Sequence, residues 1–270
     1  MFSFLSFYQK MKTLEFFILI SQMVFVKLNS KGCDFMLKAI FFDLDGTLLP
    51  FNEDDFIKLY FHLLSEKVCT YGYEKEALIK HVWAGTKLMY QNNGEKSNEQ
   101  VFWDYFSSIY GEKALNDKPY FDAFYINEFK QVKQICKENI EVRKIIDEIK
   151  ALDLKIILST NPLFPYQGTL TRCSFVGLKE DDFDFITAYE NSSYCKPNPK
   201  YYASILEKFN LKADEVILFG NNDFEDGIAQ KALGIKTYMV GDYIIHNQEH
   251  GIDLPHIKFN EIIDIIKQHL

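Results

Sequence analysis

The segment Asp43-Leu44-Asp45-Gly46-Thr47-Leu48 places two carboxylates two positions apart, directly after the apolar run Leu37-Lys38-Ala39-Ile40-Phe41-Phe42. On a continuing strand, residues i and i+2 face the same side, so the two acids fall close together. Such a pair is costly unless a cation neutralises it or one member keeps its proton. A hard, oxygen-seeking cation such as Mg²⁺ meets that need. Asp and Gly are also ordinary turn formers, and calcium loops share this look. The hexapeptide alone is therefore compatible with metal-assisted chemistry, a Ca²⁺ loop or a plain turn.

Three later segments, each behind an apolar run, carry further polar groups. Ser159-Thr160-Asn161 offers a hydroxyl for a phosphate oxygen, though a helix N-cap reads the same way. Cys195-Lys196-Pro197-Asn198-Pro199 sets a lysine just ahead of a helix start, with prolines stiffening the backbone. That lysine can neutralise a carboxylate and a phosphoryl oxygen together; alone, it reads as a solvated surface charge. Cys195 reads as a small buried residue rather than a nucleophile. Gly220-Asn221-Asn222-Asp223-Phe224-Glu225-Asp226 forms a polar turn suited to a metal, or an acidic helix N-terminus favoured by the dipole.

The elements that must position these groups are legible from periodicity. Apolar runs at 37–42, 154–158, 183–188, 216–219 and 235–240 look like parallel strands buried on both faces. Helical segments at 199–209 and 225–233 fall between the later runs, the second closed by Gly234. Alternating strands and helices predict an α/β doubly wound parallel sheet. Ligands in such sheets gather beyond the carboxyl ends of the strands, where all four polar segments lie.

From about 51 to 139 the strand pattern stops and apolar residues recur at helical spacing. Phe56, Leu59, Tyr60, Leu63 and Leu64 make one stripe, and Val101, Tyr105, Phe106 and Ile109 another. Breaks at Gly72, Asn92-Asn93-Gly94, Gly111 and Asp117-Lys118-Pro119 divide the stretch into about four helices. The expected organisation is a leader at 1–35, an α/β core at 36–50 and 140–270, and a helical insert at 51–139. Trp83, Tyr90, Trp103, Tyr105 and Tyr110 are candidates for an inner lining, with ordinary helix packing the stronger expectation.

A net charge of −8 gives no support to a nucleic-acid or anionic-membrane partner. Five scattered cysteines without a CxxC pair suit a reducing, cytoplasmic setting. The leader has an apolar stretch from Phe16 to Leu28 but includes Glu15 and lacks a convincing cleavage site. It reads best as an upstream extension before a start at Met36; a membrane-associated or disordered arm and a signal are the alternatives.

Taken together and in order, the four segments resemble the haloacid dehalogenase-like hydrolase superfamily, over about residues 37–240. The matching elements are Asp43–Thr47, Thr160, Lys196 and the loop 220–226. The insert directly after the first motif resembles a helical C1-type cap. Only 35 residues separate Thr160 from Lys196, which leaves no room for the larger cap of other branches. The resemblance implies a Mg²⁺-dependent phosphatase acting on a small phosphorylated metabolite, with Asp43 as nucleophile and Asp45 as acid/base. It implies Thr47, Thr160, Asn161 and Lys196 around the phosphate, and Asp43, Asp45, Asn221, Asn222 and Asp226 around the metal. Dehalogenases of the superfamily lack the second aspartate, so Asp45 argues against that chemistry. The family usually has an aspartate directly after the glycine of motif four or one position on, where this chain has Asn221 and Asn222. Weaker metal affinity is expected, with Asp223 as a possible substitute ligand. A phosphomutase of the β-phosphoglucomutase type and a non-catalytic phosphate-binding protein are the competing readings. Oligomeric state is left open.

Overall fold

The computed structural model describes residues 36–270, so every expectation about the leader lies outside the described residues. Strand β1 (Ala39–Phe42) is fully buried, as a run without polar side chains requires. Ile40 and Phe42 face one layer of core, and Ala39 and Phe41 the other. The remaining strands are β2 (Lys155–Leu158), β3 (Phe185–Ile186), β4 (Val216–Gly220), β5 (Lys236–Val240) and β6 (His256–Ile257). All neighbours pair in parallel, in the order β3-β2-β1-β4-β5-β6.

This order reverses direction beside β1, which creates a crevice at the strand tips. Register aligns those tips: Phe42 sits opposite both Leu158 and Phe219. The Asp43 amide donates to the Phe219 carbonyl at 2.9 Å, and the Ser159 amide donates to the Phe42 carbonyl at 2.7 Å. Three motifs therefore leave the sheet at one level.

The insert holds α1 (Glu53–Val68), α2 (Lys75–Tyr90), α3 (Asn98–Tyr110) and α4 (Glu112–Ile126). The core adds α5 (Glu141–Ala151), α6 (Tyr166–Phe175), α7 (Pro199–Phe209), α8 (Gly227–Leu233) and α9 (Ile262–Lys267). Asn52 caps α1 through the Asp55 amide, Ser97 and Gln100 form a capping box on α3, and Gly72 adopts the left-handed conformation after the first helix. No helix among the described residues is long and apolar enough to cross a membrane.

Several expectations need correction. The break at Asp117-Lys118-Pro119 does not occur, and α4 runs through it. Pro119 cannot donate to the carbonyl of Leu115, but Leu115 is exposed, so water can take that carbonyl. Ion pairs Lys113–Asp117 and Lys118–Asp122 brace the same turns. The buried stripe of α3 is Phe102, Trp103 and Phe106, while Ile109 faces solvent. The strand expected at 183–188 contracts to two residues because turns engage its ends. The Phe183 amide donates to Glu180, and the Ala188 amide to the Asn191 side chain. Helix α8 begins at Gly227 rather than 225, since the Asn222 side-chain oxygen takes the amides of Phe224 and Glu225. The two-residue strand β6 carried no periodic signal.

Candidate active site

At the tip of β1, Asp43 is buried, and its Oδ1 accepts from Lys196 Nζ at 2.8 Å. The same ammonium donates to Asp226 Oδ1 at 2.6 Å. Lys196 precedes α7, whose start is set by Pro199 and by the Asn198 cap on the Lys200 amide. Asp226 precedes α8. One lysine thus ties together segments that are 153 and 30 residues away in sequence.

The electrostatics follow from burial. Burial pushes the Asp43 carboxyl up to about 7; Lys196 opposes this, while Asp226 and Asp45 add to it. Burial works against the Lys196 charge, but Asp226 and Asp43 hold the ammonium protonated well above its ordinary range. Burial also pushes Glu225 up to about 7.

Asp45 forms an ion pair with Arg172 on α6. Burial raises the Asp45 carboxyl, and the Arg172 guanidinium beside it pulls the other way. Arg172 is completely buried, lies 4.5 Å over the Phe164 ring, and donates to Thr169 at 3.2 Å. Asp45 Oδ1 and Arg172 Nε are buried without hydrogen-bond partners. Gly46 turns the chain at φ +80°, and any side chain there would collide with the Asn221 amide.

The other expected residues divide into two groups. Asp43, Asp45, Thr160, Asn161, Asn221, Asn222 and Asp226 line one cavity of about 580 Å³. Thr47 sits below it, with its hydroxyl donating to Asp43 Oδ2 at 3.4 Å, and Lys196 lies behind the carboxylates at 1% exposure. Asn161 donates to Glu225 Oε2 at 3.0 Å and accepts from the Lys196 amide at 3.3 Å, so it links motifs two, three and four.

The fourth motif is arranged differently from expectation. Asp226 Oδ2 accepts the amides of Asn221 and Asn222, both at 3.1 Å, and its Oδ1 also accepts from Tyr202 at 2.9 Å. The Asn222 oxygen is engaged by two backbone amides. Asn221 donates to the Tyr243 carbonyl at 2.8 Å, which fixes the orientation of its amide. Asp223 is not among the residues lining the cavity; its carboxylate accepts from His246 and from the Asn247 amide.

Oxygen donors and a surplus of buried negative charge suit a hard divalent cation. The donors with the least engaged oxygens are Asp45, through Oδ1, Asp43, through Oδ2, and Asn221. Among the described residues no cluster of three His, Cys, Asp or Glu side chains has the form of a closed metal site.

Arg172, Tyr202 and Glu225 were not singled out by sequence reasoning. Arg172 is one of only two arginines in the chain, which was the one available signal. Trp83, Tyr90 and Trp103 line the cavity, whereas Tyr105 bonds His81 and Tyr110 packs on Phe106. Cys195 is buried, its sulfur accepting from Asn98 and donating to the Met89 carbonyl.

This arrangement at the tips of a parallel sheet has a known counterpart. The model of the haloacid dehalogenase-like hydrolase family matches residues 40–240, and the chain belongs to that family. A phosphorylated carbohydrates phosphatase of Thermotoga maritima is 28% identical over 144 residues, 51% of this chain and 63% of its own length. The chain thus spans less than two thirds of that relative. Pyrophosphatase PpaX of Bacillus velezensis is 25% identical over 205 residues, covering 76% of this chain and 83% of that one. The crystal structure of a 2-haloacid dehalogenase from Pseudomonas syringae pv. Tomato DC3000 superposes with a TM-score of 0.60 at 16% identity, covering 87% of this chain and all of the other. That last likeness is one of fold.

Proposed function

We propose that the protein is a Mg²⁺-dependent phosphohydrolase that cleaves a small phosphate monoester through an aspartyl-phosphate on Asp43. The observation that carries this reading is Lys196 Nζ held between Asp43 at 2.8 Å and Asp226 at 2.6 Å, behind the floor of a cavity that both acids line together with Asp45. An ammonium so placed neutralises the nucleophile's surroundings without solvent competition.

In the first step a carboxylate oxygen of Asp43 bonds to phosphorus as the phosphorus–oxygen bond to the leaving group breaks. Asp45 gives its proton to the departing oxygen. Water then attacks the phosphoryl group, Asp45 takes the proton back, and inorganic phosphate leaves with Asp43 regenerated. Thr160 and the Asn161 side chain contact the phosphoryl oxygens, while Thr47 holds Asp43 from below. Lys196 offsets the charge of the phosphorylated aspartate. Asp43, the Asp45 carbonyl and Asn221 would hold Mg²⁺, which supplies neutralisation of phosphoryl charge. Asp226 and Asn222 shape the loop behind that set. The helices of the insert act as the cap that excludes water and selects the substrate. Free thiols at Cys69, Cys136, Cys173 and Cys195 support a cytoplasmic setting.

The test is turnover of p-nitrophenyl phosphate with and without Mg²⁺, beside acid-quenched protein digested for a phosphorylated Asp43 peptide. Activity equal to that of an Asp43→Asn variant rejects the proposal and favours a phosphate-binding protein. A product that is an isomeric phosphate ester, without release of inorganic phosphate, favours a mutase.

A further inference from the structure

The wall of the cavity is unlike its floor, and it bears on the substrate. No Lys, Arg or His lines the cavity among the described residues, yet Glu53, Asp54, Asp122 and Asp242 do. The nearby cations are already engaged: Lys196 and Arg172 lie behind the floor, with Asp43 and Asp226 and with Asp45, and Lys118 pairs with Asp122 and Glu99. A second anionic group on a substrate would meet Glu53, Asp54 and Asp242, none of which has an ion-pair partner among the described residues.

The rest of the wall is largely aromatic and aliphatic. Phe61, Trp83, Val82 and Ile57 come from the insert, and Leu163 and Phe164 from the core. Several polar tips of its aromatic side chains are already engaged. Tyr60 and Tyr125 share a hydrogen bond at 3.0 Å, Trp103 donates to Tyr189 at 3.3 Å, and Tyr90 donates to Glu225 at 3.3 Å. Thr86 donates to its own helix. Sugar hydroxyls placed against Phe61, Val82, Ile57, Leu163 and Phe164 would lose water without gaining partners from those side chains. A hydrocarbon group placed there is stabilised by leaving water.

We infer that the substrate is a phosphate monoester whose leaving group is bulky, apolar and free of negative charge, aromatic or alkyl rather than a sugar, a hydroxy acid or a second phosphate. This rests on the phosphohydrolase reading above.

The chain's two tryptophans, Trp83 and Trp103, both line the cavity, so their fluorescence reports its occupancy directly. The experiment titrates the Mg²⁺-loaded protein with 3-phenylpropylphosphonate and with phosphonoacetate. It then compares kcat/KM for 2-phenylethyl phosphate, glucose 6-phosphate and phosphoglycolate. Tighter binding of the phenyl phosphonate and a preference for phenylethyl phosphate, each about tenfold or more, are expected. Trp83→Ala should narrow the preference. A kcat/KM ratio of one or less, or tighter binding of phosphonoacetate, overturns the inference. Absence of turnover on all esters, p-nitrophenyl phosphate included, overturns the catalytic reading instead, and the fluorescence titration still decides the preference of the pocket.

Discussion

The floor and the wall of the cavity solve opposite problems. The floor gathers Asp43, Asp45 and Asp226 on strand tips and loops, with Lys196 and Arg172 buried beneath them. Each of those charges is unfavourable away from water unless it has a partner, so every position constrains the others. The wall, made mostly by the inserted helices, is held by ring contacts such as Phe102–Phe106 at 5.5 Å and Trp103–Phe121 at 5.4 Å. Apolar packing is non-directional and tolerates exchange of shape. A floor of this kind commits the molecule to one chemistry, while a wall of this kind can be remodelled to admit a different leaving group.

Variants can break that contrast at either side. The largest effect is expected from Asp43→Asn, which removes the proposed nucleophile and should lower kcat by about 10⁴-fold or more with little change in thermal stability. Retention of even a tenth of the activity would show that the floor is not the reacting surface.

Phe106→Ala attacks the wall instead. Phe106 is fully buried and its ring packs against Phe102, Trp103 and Phe121. Denaturant unfolding should show a loss of about 3–5 kcal/mol.

Arg172→Met should reduce kcat by about 10²–10³-fold, because Asp45 loses the partner that orients it. If the role is positioning an acid, the deficit should be larger for alkyl than for p-nitrophenyl phosphate, whose leaving group needs no proton. Arg172→Lys should recover part of it. A uniform deficit across leaving groups would indicate a structural role alone.

Metal binding should depend on pH with a definite sign. The folded Asp43 carboxyl lies at about 7, raised by burial above its unfolded value. A raised acid favours its protonated form in the fold, so the metal-free protein loses stability as pH rises from about 4 to about 7. Protons therefore compete with Mg²⁺ below about 7. The thermal shift at one fixed Mg²⁺ concentration should grow from about pH 6 to about pH 8, and a flat profile would contradict this assignment.

The smallest effect lies far from both surfaces. Burial raises the Asp182 carboxyl, but Arg143, the Lys179 amide and Lys150 overcome it and hold the group down to about 2. The stability from this depressed acid is present above its unfolded value and is lost as pH falls from about 4 towards 2. Asp182→Asn should destabilise the protein by about 1–2 kcal/mol at neutral pH, its partners being partly solvated, and should remove that acid-side slope.

The strands and the floor were legible to different depths. Apolar runs ending in Asp43, Ser159 and Gly220 announced β1, β2 and β4 because the stretch of a strand buried on both faces favours apolar side chains; only Lys155, at the start of β2, is polar, and it is exposed. Helix α7 was read to the residue, since Asn198 and Pro199 start it and Asn210 takes the left-handed position that ends it. The break assigned to Pro119 was not real, because proline's local cost is overridden where water can take the orphaned carbonyl.

Residue types and their order along the chain determined the parallel sheet, since local periodicity and chain punctuation are properties of short segments; the set Asp43, Asp45, Thr160 and Lys196 came from the order of four polar segments and the family they resemble. Only the tertiary structure decided which charges meet. Arg172 finds Asp45 across 127 residues, and Asp223 and Asp226, three positions apart, face different partners. Whether a charged side chain is partnered, buried or turned away depends on groups brought together by packing, and no spacing along the chain encodes that.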